Sequence, residues 1–193
     1  MNNNILRIVL CGVILPSIGC GTNAIVHVDH KFNSLEIEVI KQSARDWYDA
    51  TQSDYTDIVL DEGNYFNDDV FESDDFSKTN EQVSIQKISM SDPGYEWLID
   101  SMDISESKTL YGAANSRTIV INWEPFWKDD EFDSHFFHKV LLHEFGHFYG
   151  LAHRNGTLMH PFVSRSQDDC IDLESAEDFC AIHDDCQDQH STC

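Results

Sequence analysis

The chain has 193 residues and carries 12 Lys plus Arg against 35 Asp plus Glu, a formal net charge of −23. That length suits one domain with ample chain for a core. The charge excludes nucleic acid and anionic membrane as partners, since both would repel such a surface, and leaves a solvated, highly soluble one.

The first residues read as an export signal. Met1 to Asn4 and Arg7 form a weakly basic start, and 8–18 is an apolar run too short to span a membrane as a mature helix. Leu15-Pro16-Ser17-Ile18-Gly19-Cys20 resembles a bacterial lipoprotein processing site, which would make Cys20 the lipidated first residue and 1–19 the signal. Cleavage near Thr22-Asn23-Ala24, giving a freely secreted protein, is the alternative. Both readings place the chain outside the cytoplasm, and 20–193 then forms a single domain.

Residues 24–30 alternate apolar and polar, as a half-buried strand does, with His27 and His30 as polar strand residues and not ligands. Asn33 with Glu36 three residues later forms a capping-box variant. Ile37, Ile40, Ala44, Trp47 and Tyr48 then recur at helical spacing, which predicts an amphipathic helix over 34–52 with Trp47 as its core anchor. A short strand is expected over 55–60, then an exposed acidic loop over 61–80. Asp68-Asp69 and Asp74-Asp75 raise the question of calcium, but no ordered D-x-D-x-D-G loop is present and solvated charge is the preferred reading.

Residues 82–90 alternate again, with Val83, Ile85 and Ile88 inward, and Asp92-Pro93-Gly94 is a turn signal. A short helix is expected around 96–99, and 110–114 and 118–123 read as two strands joined by a turn at Asn115-Ser116. A second helix starts near Asp133 or Ser134, either a competent N-cap, and buries Phe137, Val140, Leu141 and Leu142.

This second helix carries the chemistry. His143 and His147 lie one turn apart on one face, a spacing that lets two imidazoles share a metal ion at roughly 2.0–2.1 Å. Glu144 sits beside the first of them and is placed to act as a general base. His153 lies too far along a continuing helix to join them. Gly150 supplies the break, because without a Cβ it can take positive φ and turn the chain back under the metal. Three neutral histidines leave a fourth zinc position open, as catalytic sites do. His135 and His138 point elsewhere on the helix and are read as surface or packing residues.

His143-Glu144-x-x-His147-x-x-Gly150-x-x-His153, followed by Thr157-Leu158-Met159-His160-Pro161, is the combined motif and Met-turn of the metzincin zinc endopeptidases. The sequence resembles that family, and its matrixin-like members most closely. The resemblance implies an α+β metzincin-like domain: a mixed twisted sheet, two long helices above a cleft, and a small C-terminal helical subdomain. The upper subdomain would cover about 24–150 and the lower about 151–193. It implies zinc on His143, His147 and His153, zinc-bound water activated by Glu144, and Met159 as a packed floor that does not bond the metal. It makes 110–114 the edge strand that pairs with an extended peptide substrate.

The same resemblance places Lys139 at the pocket for the side chain just after the scissile bond. A cation there would favour small or acidic side chains, unless the lysine stem lies along the protein and the ammonium reaches water. Pro161 stands where some metzincins carry a tyrosine that helps hold the transition state. No room for a pro-segment separates the signal from the first strand, so control is expected from a separate inhibitor. A monomer is expected. The alternative function is a zinc-containing cell-surface binding or adhesion protein without turnover; Glu144 counts against it, because a binding-only site needs the histidines and not the base.

Past the Met-turn, Asp172 can cap a helix running through Leu173, Ala176, Phe179, Cys180 and Ile182. Cys170, Cys180, Cys186 and Cys193 form an even set that reads as two disulfides in an exported chain. A Cys₄ zinc site is disfavoured by the lack of paired C-x₂-C knuckles. With that helix formed, Cys170 and Cys180 lie roughly 15 Å apart, beyond the about 4.4–6.8 Å that a disulfide spans. Cys170 is therefore expected to pair with Cys186 or Cys193.

Overall fold

A computed structural model describes residues 25–61, 84–92, 95, 109–166, 168–186, 189 and 191–193. The export signal with Cys20, the two Asp pairs, Val83, Pro93-Gly94 and the helix expected around 96–99 lie outside the described residues.

Strand β1, Ile25–Val28, buries Val26 and Val28 and turns Ile25 outward, as the alternation requires. Helix α1, Ser34–Thr51, follows. Asn33 Oδ1 accepts from the backbone N–H of Leu35 and Glu36 at 2.9 and 3.1 Å, and Glu36 Oε2 accepts from Asn33 N–H at 2.8 Å. Both halves of the capping box are therefore made, which satisfies N-terminal donors that the helix itself leaves orphaned.

The strand expected over 55–60 is shorter and later: β2 is Val59–Asp61. The cause lies at the other end of the chain. Asp185 Oδ2 accepts from Ser53 Oγ at 2.7 Å and from Tyr55 N–H at 3.1 Å, and the Tyr55 ring stacks on His183 with centroids 4.2 Å apart. These partners hold 53–56 in a turn, with Thr56 N–H on Ser53 O, and take Tyr55 away from the sheet.

Strands β3 (Ser84–Ile88), β4 (Gly112–Ala114) and β5 (Thr118–Asn122) complete one sheet of order β2-β1-β3-β5-β4. The first four are parallel; β4 alone is antiparallel, pairing with β5 at the edge. Every residue of β5 is buried, and in β3 only Lys87 is half-buried. Central parallel strands covered on both faces lose the alternation that half-buried strands show, so Ile85 and Ile88 are both buried despite their odd spacing.

Between β5 and the next helix the chain makes a feature that the sequence reading leaves blank. A 3₁₀ turn at Glu124–Phe126 leads into a hairpin of β6 (Trp127–Lys128) and β7 (Glu131–Phe132). Asp129 and Asp130 both take positive φ, 51° and 67°, as a two-residue hairpin turn that follows the strand twist requires.

Helix α2, Ser134–Phe148, is capped by Asp133, whose side chain accepts from Phe136 N–H at 3.1 Å. Helix α3, Leu173–Ile182, is capped by Asp172. α1 and α2 pack together around Trp47, which is fully buried and donates its indole N–H to Leu142 O at 3.0 Å. Burying one large apolar side chain of this kind stabilises by about 1.5–3 kcal/mol. Cys170 pairs with Cys193 and Cys180 with Cys186, so the expected exclusion of Cys170–Cys180 holds and the tail folds back to Cys170. Among the described residues no helix is long and apolar enough to cross a membrane.

Candidate metal centre

α2 presents His143 and His147 on the face that looks towards β4. It then ends in a Schellman motif: Leu151 N–H bonds Gly146 O and Gly150 N–H bonds His147 O, both at 2.9 Å, with Gly150 at φ +98°. That reversal brings His153 back. His147 Nε2 lies 3.1 Å from His143 Nε2 and 3.0 Å from His153 Nε2. Among the described residues this is the one group of three or more ligand-type side chains whose donor atoms converge closely enough to share an ion.

The opposite ring nitrogens are fixed by backbone. His143 Nδ1–H donates to Leu158 O at 2.9 Å and His147 Nδ1–H to Leu151 O at 2.8 Å. Carbonyl oxygens only accept, so the protons sit on Nδ1 and the Nε2 lone pairs point at one another. Lone pairs of this kind, crowded at about 3 Å, are what a cation satisfies. Burial holds the His143 pKa down at about 4 and lowers those of His147 and His153. The three rings are thus neutral at physiological pH, the state in which imidazole binds a metal. The residues fit a tetrahedral zinc site with one position left open.

Glu144 lies beside them, 5% exposed, and its Oε2 has no hydrogen-bond partner among the described residues. Burial raises its pKa to about 8. Gly112 of the edge strand makes the space for it: a Cβ there would sit 2.8 Å from Glu144 Cγ and 2.9 Å from Oε1. Below the histidines, Met159 is 1% exposed and packs against Gly146, where any Cβ would collide with its sulfur. The helix glycine therefore permits the close approach of the Met-turn. Neither glycine role is visible in the sequence reading, although an isolated glycine within an apolar strand is the usual sign of a close approach.

The histidines and Glu144 open on a cleft of about 650 Å³. β4, Val140 and the segment Pro161, Phe162 and Val163 line it with them. Pro161, at the position where some metzincins carry a tyrosine, is among the residues lining the cleft.

Lys139 fits neither expected arrangement. It is only 3% exposed, its ammonium donates to Ser164 O at 2.7 Å, and it is not among the residues lining the cleft. The cation neither enters the pocket nor reaches water; it ties α2 to the segment that follows the cleft wall. The other histidines of the helix pair with acids: His135 with Asp169 and His138 with Asp46, each at 2.9 Å. His27 pairs with Asp61 at 3.0 Å, away from the site.

Comparison with known proteins now decides the family. The matrixin family model (Peptidase M10) matches residues 38–184, which take in most of α1, all of α2 with the metal motif, and α3. The chain belongs to the matrixin family. It is thus a metzincin-like zinc metallopeptidase by family, and the sheet and three helices of the described residues carry that fold. Archaemetzincin from Methanopyrus kandleri has a similar fold, with a TM-score of 0.52 at 14% identity over 85% of this matrixin and 97% of that chain. No curated protein matches it.

Proposed function

We propose that this matrixin is an endopeptidase that hydrolyses extended polypeptides across the β4 cleft, with His143, His147 and His153 as zinc ligands and Glu144 as the general base. One observation carries the reading: three converging imidazole nitrogens stand next to a buried carboxylate with one oxygen unpartnered among the described residues. A site that only bound metal would have no use for that carboxylate, which is costly to bury unpaired.

When bound, zinc supplies Lewis acidity, polarising a scissile carbonyl and bringing the pKa of water towards 7. The chain's own residues do the rest. The carbonyls of Leu158 and Leu151 hold the Nδ1 protons, so Nε2 stays available. A cation beside Glu144 favours its ionised form, opposing the burial that keeps it neutral. Glu144 then takes the proton of the attacking water and hands it to the leaving amine, a role that contributes about 10²–10⁴-fold.

The outer edge of β4, last in the sheet among the described residues, offers main-chain donors and acceptors to a substrate strand. With Lys139 turned away, Val140, Phe162 and Val163 set the preference for the side chain after the cut, and they favour apolar groups. Two disulfides in the C-terminal quarter support export, as does the reading of 1–19 as a signal, with a lipid anchor on Cys20. The enzyme acts as a monomer.

The test is cleavage of a denatured protein by the purified chain after chelation and after return of stoichiometric Zn²⁺. Loss and recovery are expected. A zinc-loaded chain that cleaves nothing would be the cell-surface binding protein instead.

A further inference from the structure

The first capping residue of α3 reaches further than a cap needs to. Asp172 Oδ1 accepts from Ser175 N–H at 2.9 Å, the ordinary N-cap bond, and Ser175 Oγ donates to Oδ2 at 2.9 Å. Its Oδ2 also accepts from the backbone N–H of Leu158 at 2.6 Å, in the Met-turn. Leu158 is the residue whose C=O holds the Nδ1 proton of His143 at 2.9 Å. Leu158 is thus gripped at its N–H by a carboxylate and at its C=O by an imidazole.

Asp172 is itself anchored. Ile171 before it is fully buried and exchanges bonds with the tail: Ile171 N–H to Thr192 Oγ1 at 2.9 Å, and Thr192 N–H to Ile171 O at 3.0 Å. The Cys170–Cys193 disulfide closes the same clasp. The turn's own bonds, Thr157 Oγ to Arg154 O and Arg154 N–H to Met159 O, fix its shape. The bond to Asp172 fixes its place against α3.

We infer that Asp172 is a positioning residue for the metal: through Leu158 it sets the orientation and the tautomer of His143. The inference rests on the reading of His143 as a zinc ligand. Groups that orient a ligand in this way usually change metal affinity by about 10–100-fold when removed.

The test is Zn²⁺ affinity of the full chain, measured by chelator competition, for the wild type, Asp172→Asn and Asp172→Ser. Asn and Ser are both competent N-caps, so α3 keeps its start. Asn has one acceptor oxygen; used on Ser175, it turns its NH₂ against the Leu158 N–H. Ser is too short to reach both. Zinc binding is expected to weaken by about 10–100-fold in both variants, measured on metal-free protein that is still folded. Affinities within twofold of wild type would overturn the inference.

If neither variant folds, hydrogen exchange at the Leu158 amide of the wild type decides. Coupling is reciprocal, so Zn²⁺ must slow that exchange if Asp172 acts on His143 through Leu158. Exchange that ignores Zn²⁺ overturns the inference. A wild type that binds no zinc, or a His143→Ala variant that binds it equally well, removes instead the reading of His143 as a ligand.

Discussion

Glu36 and Glu144 are both carboxylates taken out of water, 0% and 5% exposed, yet they are kept in opposite conditions. Glu36 receives Lys87 Nζ on both oxygens at 2.9 and 2.7 Å, Asn33 N–H at 2.8 Å and Trp127 Nε1–H at 2.9 Å. It joins α1, β3 and β6, and it is a structural post. Glu144 has an oxygen without a partner among the described residues and a pKa raised by burial to about 8. Burying a carboxylate without partners is unfavourable, and folds retain such groups where chemistry needs a proton moved. The difference in hydrogen bonding, not the shared burial, separates the residue that holds the fold from the residue that serves the reaction.

The comparison breaks most readily at Glu36. Glu36→Ala leaves the Lys87 ammonium, 12% exposed, without its carboxylate. Loss of one partner from a buried pair costs about 3–5 kcal/mol. Denaturant unfolding should show a loss of that size, with turnover per folded molecule unchanged. A loss below about 1 kcal/mol would mean that Glu36 is no more structural than a surface acid.

The same contrast has a pH signature in the metal-free protein. Glu144 keeps its proton to about pH 8, while in the unfolded chain it ionises near 4.5. Between those values the unfolded chain binds fewer protons, so stability falls as pH rises through the window. From pH 6.5 to 8 this amounts to about 2 kcal/mol, and Glu144→Gln should remove it. Melting curves of both metal-free proteins across that range check the sign; parallel curves would show that burial leaves Glu144 ionised.

The smallest effect concerns Lys139. Its ammonium bonds Ser164 O, so Lys139→Leu should lose about 1 kcal/mol of stability. The charge preference at the residue after the cut should stay the same. A shift away from acidic side chains in cleavage-site profiling would put the ammonium in the pocket after all.

What the sequence reveals follows from the range of each signal. The His143–His147 spacing, the Gly150 reversal, the Asn33–Glu36 box and the Asp133 and Asp172 caps are local, and each is found where its spacing puts it. The disulfide exclusion works because helix rise sets a distance that cannot be bridged. Failures come where a distant partner decides. Tyr55 leaves its expected strand for Asp185, 130 residues on, and Lys139 turns to Ser164, 25 residues on. Gly112 signals a close approach but not its partner until β4 is laid against α2, and Asp172 reads as a plain cap until the Met-turn arrives beside it.

On the function proposed above, Glu144 moves the proton and the three histidines hold the metal. The direct measurement sets zinc content beside cleavage rate for the wild type and Glu144→Gln, on one denatured protein substrate. Equal zinc is expected in both, with turnover reduced by about 10²–10⁴-fold or more in the variant. A zinc-loaded Glu144→Gln that cleaves at a rate comparable to wild type would contradict that role for Glu144.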